Sequence, residues 1–330
     1  MVPFSVLDLC PITEGGTPAD SFRNSLDLAQ HAERWGYHRF WLAEHHNIPG
    51  IASAATSIVI AHVAAGTKTI RVGSGGIMLP NHSPLTIAEQ FGTLASLFPD
   101  RIDLGLGRAP GADMQTARAL RRENLNAADQ FPQDVQELQQ YFADPEPDQA
   151  IRAVPGACLR VPIWLLGSSL FSAQLAAHLG LPFAFAAHFA PADLVPALAM
   201  YRKGFRPSEQ LQHPYAAVCL NVIAADTDAE ARYLFSSIQQ AFLALRRGTP
   251  GKLKPPLENF DLLTGPADQA LLDQVLSQAI VGSPKTVSDR LQQFLDTHHP
   301  DELIVTANIY DHRARLHSFE LVARVANTAQ

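Results

Sequence analysis

Short apolar runs alternate with amphipathic segments along almost the whole chain. The first repeat shows the logic of this alternation. Residues 4–9 form an apolar run typical of a buried strand, and Thr17 and Pro18 then mark a helix start as N-cap and first helical residue. Apolar residues recur at helical spacing until Gly36, which offers a C-cap. This alternation predicts parallel strands joined by crossover helices.

The same pattern predicts eight strands in all. They cover residues 4–9, 39–43, 69–79, 102–106, 162–166, 182–187, 216–224 and 302–307. Eight strand–helix units in 330 residues predict a single α/β domain, residues 1–330, folded as a TIM (β/α)8 barrel with its chemistry at the carboxyl ends of the strands. A doubly wound sheet is the alternative. Its glycine-rich phosphate turn is missing after the first strand, where Leu9, Cys10 and Pro11 stand.

Two stretches interrupt the alternation. Residues 109–160 are polar, rich in Gln and punctuated by Pro, and we expect a helix plus an excursion over the barrel mouth. Residues 246–265 carry the turn signals Gly248–Gly251 and Pro255–Pro256. Because this second stretch is long and irregular, it is a candidate lid loop.

Composition narrows the class of partner. The chain is 47% hydrophobic with a net charge of -7, and it has no Lys/Arg cluster longer than two residues, so neither nucleic acid nor an anionic membrane is expected as partner. A small-molecule substrate is expected instead. No apolar stretch reaches the roughly 18 residues of a spanning helix, and no signal-type pattern begins the chain, which predicts a cytoplasmic protein. Cys10, Cys158 and Cys219 lie far apart in apolar contexts, which favours reduced thiols.

Polar side chains and glycines follow most of the predicted strands. They are Glu44-His45-His46-Asn47, Gly75-Gly76 with Asn81-His82, Gly107-Arg108, Gly167-Ser168-Ser169, His188, and Asn308 with Tyr310. Since the carboxyl ends of the strands meet at one mouth, these groups could hold a large planar ligand with a phosphate. Arg108 would pair with the phosphate, while Ser168, Ser169 and Ser172 would add hydroxyls and helix amides. The alternative is that Arg108 pairs with a structural carboxylate and the serines only cap a helix.

The residues favour neither a metal site nor a nucleophile. His45 and His46 are adjacent, so on an extended strand they point to opposite sides, whereas metal ligands in barrels share a face. No serine lies in a Gly-x-Ser-x-Gly elbow, and Cys10 is expected to be a packing residue. We therefore predict no metal. The Glu-His-His-Asn cluster could also be a polar strand end, hydrogen-bonded to its neighbours.

Four motifs together resemble the bacterial luciferase-like flavin monooxygenase family. In order along the chain, they are Glu44-His45-His46-Asn47, the Val-Gly-Ser-Gly-Gly-Ile-Met-Leu-Pro stretch at 72–80, the stretch from Arg101 to Gly111, and the stretch from Trp164 to Ser169. The motifs at 281–284 and 306–311 extend the resemblance over almost the whole chain. One departure is Gly107, because the luciferases carry a reactive cysteine just before the matching arginine.

The resemblance implies a TIM barrel that binds reduced flavin mononucleotide (FMN) delivered by a separate NAD(P)H:flavin reductase. It also implies a homodimer through the outer helices that follow strands two and three. His45 matches the catalytic histidine of the family, and Gly75-Gly76 matches a non-prolyl cis peptide behind the flavin ring. Arg108 matches the phosphate-binding arginine, with Ser168, Ser169 and Ser172 in the phosphate-binding segment.

The leading hypothesis for the reaction is oxygenation of a small organic substrate by a flavin C4a-hydroperoxide. We assign proton transfer to His45, with Glu44 orienting it or a neighbour, and closure of the site to residues 246–265. The main rival is hydride transfer with the deazaflavin F420, which other members of the superfamily use. The second rival is a flavin-binding protein without turnover.

Overall fold

Parallel strands and outer helices alternate along the part of the chain described by the computed structural model, residues 2–108, 114–120 and 128–328. The strands are β1 Phe4–Asp8, β2 Arg39–Leu42, β3 Arg71–Met78, β4 Ile102–Gly107, β5 Ile163–Gly167, β6 Phe183–Phe185, β7 Ala216–Ala224, β8 Ile280–Gly282 and β9 Glu302–Thr306. The helices are α1 Pro18–Trp35, α2 Thr56–Ala65, α3 Pro84–Leu97, α4 Met114–Leu120, α5 Phe131–Phe142, α6 Leu170–Leu179, α7 Leu194–Gly204, α8 Asp228–Arg246, α9 Pro266–Val275, α10 Pro284–His298 and α11 His312–Thr328.

Eight of these strands close into a barrel. Their order is β1-β2-β3-β4-β5-β6-β7-β9, and β9 pairs back onto β1. β8 is an accessory strand that pairs only with residues 222–224 at the far end of β7. The predicted TIM barrel is therefore confirmed, and its eight strands are the eight that the sequence pattern predicts. The pattern did not identify β8, α9 or α10.

Local sequence signals explain where the first helix begins and ends. The Thr17 side chain accepts a hydrogen bond from the Asp20 amide, and the Asp20 carboxylate accepts one from the Thr17 amide, which makes a capping box. Gly36 ends the helix in the left-handed region, with φ of 85°. Helix α1 thus returns the chain to the amino end of the barrel, where β2 starts.

The hydrophobic core has an inner and an outer part. The outer part lies between the strands and the helices. The inner part fills the barrel and consists of Leu7, Trp41, Ala43, Trp164, Ala184, Ala217, Cys219 and Ile304. Because the barrel is filled with side chains below its mouth, a ligand can enter only at the carboxyl ends of the strands.

The two irregular stretches differ in how they are held. In the first, α5 packs against α3, and residues 109–113 and 121–127 lie outside the described residues. In the second, the backbone of Leu253 exchanges hydrogen bonds with Ile12 and Glu14, and Lys252 Nζ donates to the carbonyl of Gly16 at 2.7 Å. The candidate lid is thus fastened to the loop after β1, and its closing motion stays a prediction. Among the described helices, none has the length and apolarity needed to cross a bilayer.

Candidate active site

Because side chains alternate along a strand, we expect His45, after the end of β2, to point in the opposite direction from Glu44 and His46. Trp41 and Ala43 point into the barrel, so His45, two residues further, continues the inward-facing row. Glu44 and His46 belong to the opposite row and face the end of β3. His45 is half-buried.

A second imidazole, that of His188, lies close to His45 after β6. Burial lowers the pKa of His188 to about 3, and the neighbouring His45 adds to this lowering. A hydrogen bond to the backbone of Cys219 in β7 opposes the shift without reversing it. His188 is therefore neutral at physiological pH.

The Glu44 carboxylate is the centre of a buried network on the outer row. His46 Nε2 and His82 Nε2 both lie 2.8 Å from Glu44 Oε1, and the Met78 amide donates to Glu44 Oε2 at 3.0 Å. Burial alone would raise the pKa of Glu44, but these hydrogen bonds outweigh it and the pKa lies below its usual value. Glu44 is therefore a carboxylate that joins the end of β2 to the end of β3.

This network bears on two predictions. Glu44 was expected to orient His45 or a neighbour, and its described partners include the neighbour His46. The prediction of no metal rests on His45 and His46 alone, whereas the structure brings Glu44, His46 and His82 together with ligand atoms within 4.8 Å of one another. This trio could hold a cation, although its mutual hydrogen bonds satisfy these atoms without one. The contact to His82 could not be predicted from the local pattern.

Strand β3 contains a bulge at its glycines. The Gly75–Gly76 peptide is cis, as the resemblance implies, and the pairing of β3 with β4 shifts register between Gly75 and Ile77. A Cβ atom on Gly76 would lie 2.6 Å from the Gly105 carbonyl oxygen. The two neighbouring strands therefore approach each other too closely for a side chain at this position.

The Arg108 side chain packs against the start of α6. Its guanidinium lies 4.2 Å from the ring centre of Phe171, in the first turn of that helix. Ser169 is the N-cap residue of α6, yet its side chain makes no capping hydrogen bond, and Ser172 is buried beside Gly167. Among the described residues, no carboxylate pairs with Arg108. The Arg108 guanidinium therefore lies at the helix start that carries these serines, and their binding of an anion stays a prediction.

A cavity of about 820 Å³ lies elsewhere, between α6 and α7 on the outer side of the barrel. Phe171, His178, Lys203 and Arg206 are among its lining residues. It lies on the helix side of the strands, away from the inward-facing His45. The catalytic candidates therefore lie at the strand ends and not in this outer groove.

The fold and these strand ends define a TIM-barrel protein whose mouth combines two imidazoles with an arginine at a helix start. The chain belongs to the luciferase-like monooxygenase family, whose model matches residues 2–298. A luciferase-like monooxygenase of Escherichia coli K12 is 56% identical over 324 residues, covering 98% of this chain and 97% of that protein. N-acetyl-S-alkylcysteine monooxygenase of Bacillus subtilis is 33% identical over 334 residues, covering 98% of each chain.

Solved structures agree on the fold. The crystal structure of apo-MsnO8 is 37% identical, with a TM-score of 0.89 over 99% of both chains. Two more distant structures show the fold alone. One is the oxygenating constituent of 3,6-diketocamphane monooxygenase from Pseudomonas putida with FMN, 20% identical with a TM-score of 0.74 over 98% of this chain and 97% of that one. The other is an F420-dependent secondary alcohol dehydrogenase, 14% identical with a TM-score of 0.71 over 98% of both chains.

Proposed function

We propose that this protein is a flavin-dependent monooxygenase that uses reduced FMN and O2 to oxygenate a small organic substrate. The observation that carries the proposal is the position of Arg108, whose guanidinium lies over Phe171 at the start of α6. A cation, free helix amides and the Ser168 and Ser169 hydroxyls together suit a phosphate dianion. Membership of the luciferase-like family supports the same reaction class.

The described residues fit FMN along the mouth. Arg108, Ser168, Ser169 and Ser172 would hold the phosphate, and Gly75-Gly76 would leave the β3 bulge open to the flat ring. When bound, reduced FMN would supply the electrons that activate O2. The chain itself would bind, orient and keep water out, because the barrel interior below the bulge is filled by apolar side chains.

Within this proposal, His45 transfers the proton at its imidazole. Its inward direction and partial exposure allow contact with a substrate in the mouth. His188 is unsuited to that role, because its pKa of about 3 leaves it without an exchangeable charge at neutral pH. Glu44 acts indirectly, by holding the peptide that carries His45 against β3.

The proposal includes a separate NAD(P)H:flavin reductase as the source of reduced FMN. The 3,6-diketocamphane enzyme supports this division of labour, because its solved chain is called the oxygenating constituent of the monooxygenase. We also propose a homodimer through α2 and α3. Ile58 on α2 is 70% exposed and Leu97 on α3 is 64% exposed, so both would be covered by a second copy. Light scattering that gave only the 35.9 kDa monomer would refute the dimer.

The cofactor test compares FMN, riboflavin and F420 in anaerobic titrations of the wild type and Arg108→Leu. Loss of a charge-assisted phosphate contact should weaken FMN binding about 10- to 100-fold, and riboflavin, which lacks the phosphate, should change by less than about threefold. Equal losses for FMN and riboflavin would contradict the phosphate assignment. Preferential binding of F420 by the wild type would overturn the choice of FMN.

The reaction test uses the FMN-loaded protein, a flavin reductase and labelled O2 with a panel of small organic compounds that includes N-acetylated thioethers. We expect one labelled oxygen atom in a product, and a large loss of that product in His45→Ala with FMN affinity retained. Unchanged product formation in His45→Ala would refute its role. Tight FMN binding without any labelled product would favour a binding protein without turnover.

A further inference from the structure

Three buried polar side-chain atoms lie on one wall of the barrel mouth without hydrogen-bond partners. Within the described residues, six side-chain atoms are buried and unpartnered, and three of them are His188 Nδ1, Thr306 Oγ1 and Asn308 Oδ1. Folded proteins pair the large majority of buried polar atoms, because each unpaired one costs free energy. A concentration of such atoms beside the candidate active site points to a ligand that would pair them.

The strand geometry places these atoms on the inner side of the wall formed by β6, β7 and β9. Ala307 and Ile309 join the outer core, so the alternating residues Thr306 and Asn308 face inward. Asn221 of β7 is the register partner of Thr306, and its Nδ2 donates to the His188 carbonyl at 2.6 Å. Asn221 therefore ties the turn that carries His188 to the strand pair that carries the two oxygens.

The unpartnered atoms of this wall all can accept hydrogen bonds. His188 Nδ1 has no partner, and the Cys219 backbone raises the pKa of the ring, as a carbonyl that accepts from the other ring nitrogen does. We therefore assign the single proton of the neutral imidazole to Nε2. Nδ1 is then an acceptor, and Asn308 Oδ1 is an acceptor as well. Thr306 Oγ1 can accept or donate. The group that binds here must therefore donate hydrogen bonds, and since all three side chains are uncharged, an amide or hydroxyl suits them better than an ammonium.

We propose that His188 Nδ1, Thr306 Oγ1 and Asn308 Oδ1 form a substrate-positioning subsite for an uncharged N–H or O–H group of the organic substrate. This inference rests on the proposed function, and it names the substrate class as one with such a donor. The subsite lies beside His45, so a substrate held there presents its remaining atoms to the group that transfers the proton. An N–H of reduced FMN has the same donor chemistry, and the experiment separates the two sources.

The test uses Thr306→Val and Asn308→Leu, which replace each unpartnered oxygen by an apolar group of similar shape. Because the fold does not use these oxygens, both variants should unfold at the same temperature as the wild type or higher. Thr297→Val is the matched control, since the Thr297 hydroxyl is exposed and bonded to the Gln293 carbonyl. A marked loss of thermal stability in both site variants would contradict the claim that the oxygens lack partners.

The probes are two thioethers that differ at one position, a secondary amide and its N-methylated tertiary amide. Calorimetric titration of the FMN-loaded wild type should give about tenfold tighter binding of the secondary amide, and this preference should vanish in Thr306→Val and Asn308→Leu but persist in Thr297→Val. Equal affinities in the wild type, no binding of either probe, or a preference kept by both site variants would overturn the subsite.

Three further outcomes show whether the subsite or the monooxygenase proposal has failed. A tenfold loss of reduced FMN affinity in the site variants would show that the flavin supplies the donor, and would overturn the substrate assignment. If the amide preference is present but no labelled oxygen enters a product, the subsite stands and the monooxygenase proposal fails. If both probes are oxygenated with equal kcat/KM and equal affinity, the monooxygenase proposal stands and the subsite fails.

Discussion

Replacement of Arg39 by Met should destabilise the barrel far more than removal of an exposed charge. Arg39 lies at the amino end of β2, with its side chain 11% exposed. Its Nη1 donates to Asp103 Oδ2 at 2.7 Å, and its Nε lies 3.1 Å from both carboxylate oxygens of Glu302. Its guanidinium also lies 4.8 Å from the ring centre of Trp164. Met keeps the apolar stem of this side chain and removes the charge.

The magnitude follows from what remains after the substitution. Asp103 keeps Arg71, whose Nη2 lies 2.6 Å away. Among the described residues, the remaining donors to Glu302 are the neutral hydroxyls of Ser5 and Tyr215, the latter at 2.9 Å. One buried carboxylate therefore loses its cation, which typically costs about 3–5 kcal/mol. At about 2 °C per kcal/mol for a chain of this size, the thermal midpoint should fall by about 6–10 °C.

The assay is thermal unfolding followed by tryptophan fluorescence and by circular dichroism, since coincident transitions justify a two-state treatment. Trp41 and Trp164 lie within the charged layer, so fluorescence reports on it directly. Arg247→Met is the control, because the pair of Arg247 with Asp268 has side chains 61% and 29% exposed and should be worth at most about 1 kcal/mol.

Two results would refute this reasoning. One is an Arg39→Met midpoint no lower than that of Arg247→Met. The other concerns the double variant Arg39→Met/Glu302→Gln. Because Glu302→Gln removes the unpaired charge, it should recover part of the stability that Arg39→Met loses. A further loss of stability would show that packing, and not charge, determines the effect of Arg39→Met. FMN affinity at 25 °C should change by less than about threefold, since the charged layer lies at the opposite end of the barrel from the proposed phosphate site.

Two other predictions concern the rim. The pKa of Glu44 in the folded protein lies below the usual carboxyl value of about 4.3. Ionised Glu44 therefore stabilises the fold above about pH 4.3, and this stabilisation is lost as the pH falls through the lower pKa of the folded state. The difference in unfolding free energy between wild type and Glu44→Gln should therefore shrink on acidification below about pH 4, and parallel urea-denaturation curves at every pH would contradict this. Gly76→Ala should lower both the thermal midpoint and the FMN affinity more than Gly75→Ala does. At Gly76 the added Cβ would lie 2.6 Å from the backbone carbonyl oxygen of Gly105, whereas at Gly75 its nearest neighbour, at 2.7 Å, is a movable methyl group of Leu7. Equal effects in the two variants would contradict this steric reasoning.

The sequence pattern predicts the barrel because each barrel strand is an apolar run long enough to stand out between helices. β8 has three residues and pairs only with the far end of β7, so its pattern is too short to recognise. Helix α10 was missed although its signal is present. Ser283 caps it through the Thr286 amide and Pro284 is its first residue, which is the same start that identified α1.

The sequence allowed the members of the candidate site to be proposed, but not their contacts. The placement of polar groups after strands follows from barrel geometry, so His45, Arg108 and the serines could be named in advance. The contact between Glu44 and His82 depends on the register of β2 with β3, in which Leu42 pairs with Ser74. It also depends on the short 3-10 turn Leu79–Asn81 that follows β3. No local pattern contains that information, because a shift of one residue would reverse which side chains face each other.

The end of β2 therefore serves two purposes because its side chains alternate. The outward pair, Glu44 and His46, connects to Met78 and His82 beyond β3 and so holds two strand ends together. The inward residue between them, His45, is left to face the mouth. The hydrogen bonds of the residues on both sides of His45 constrain its backbone, and a fixed backbone is what the proposed proton-transfer role of His45 requires.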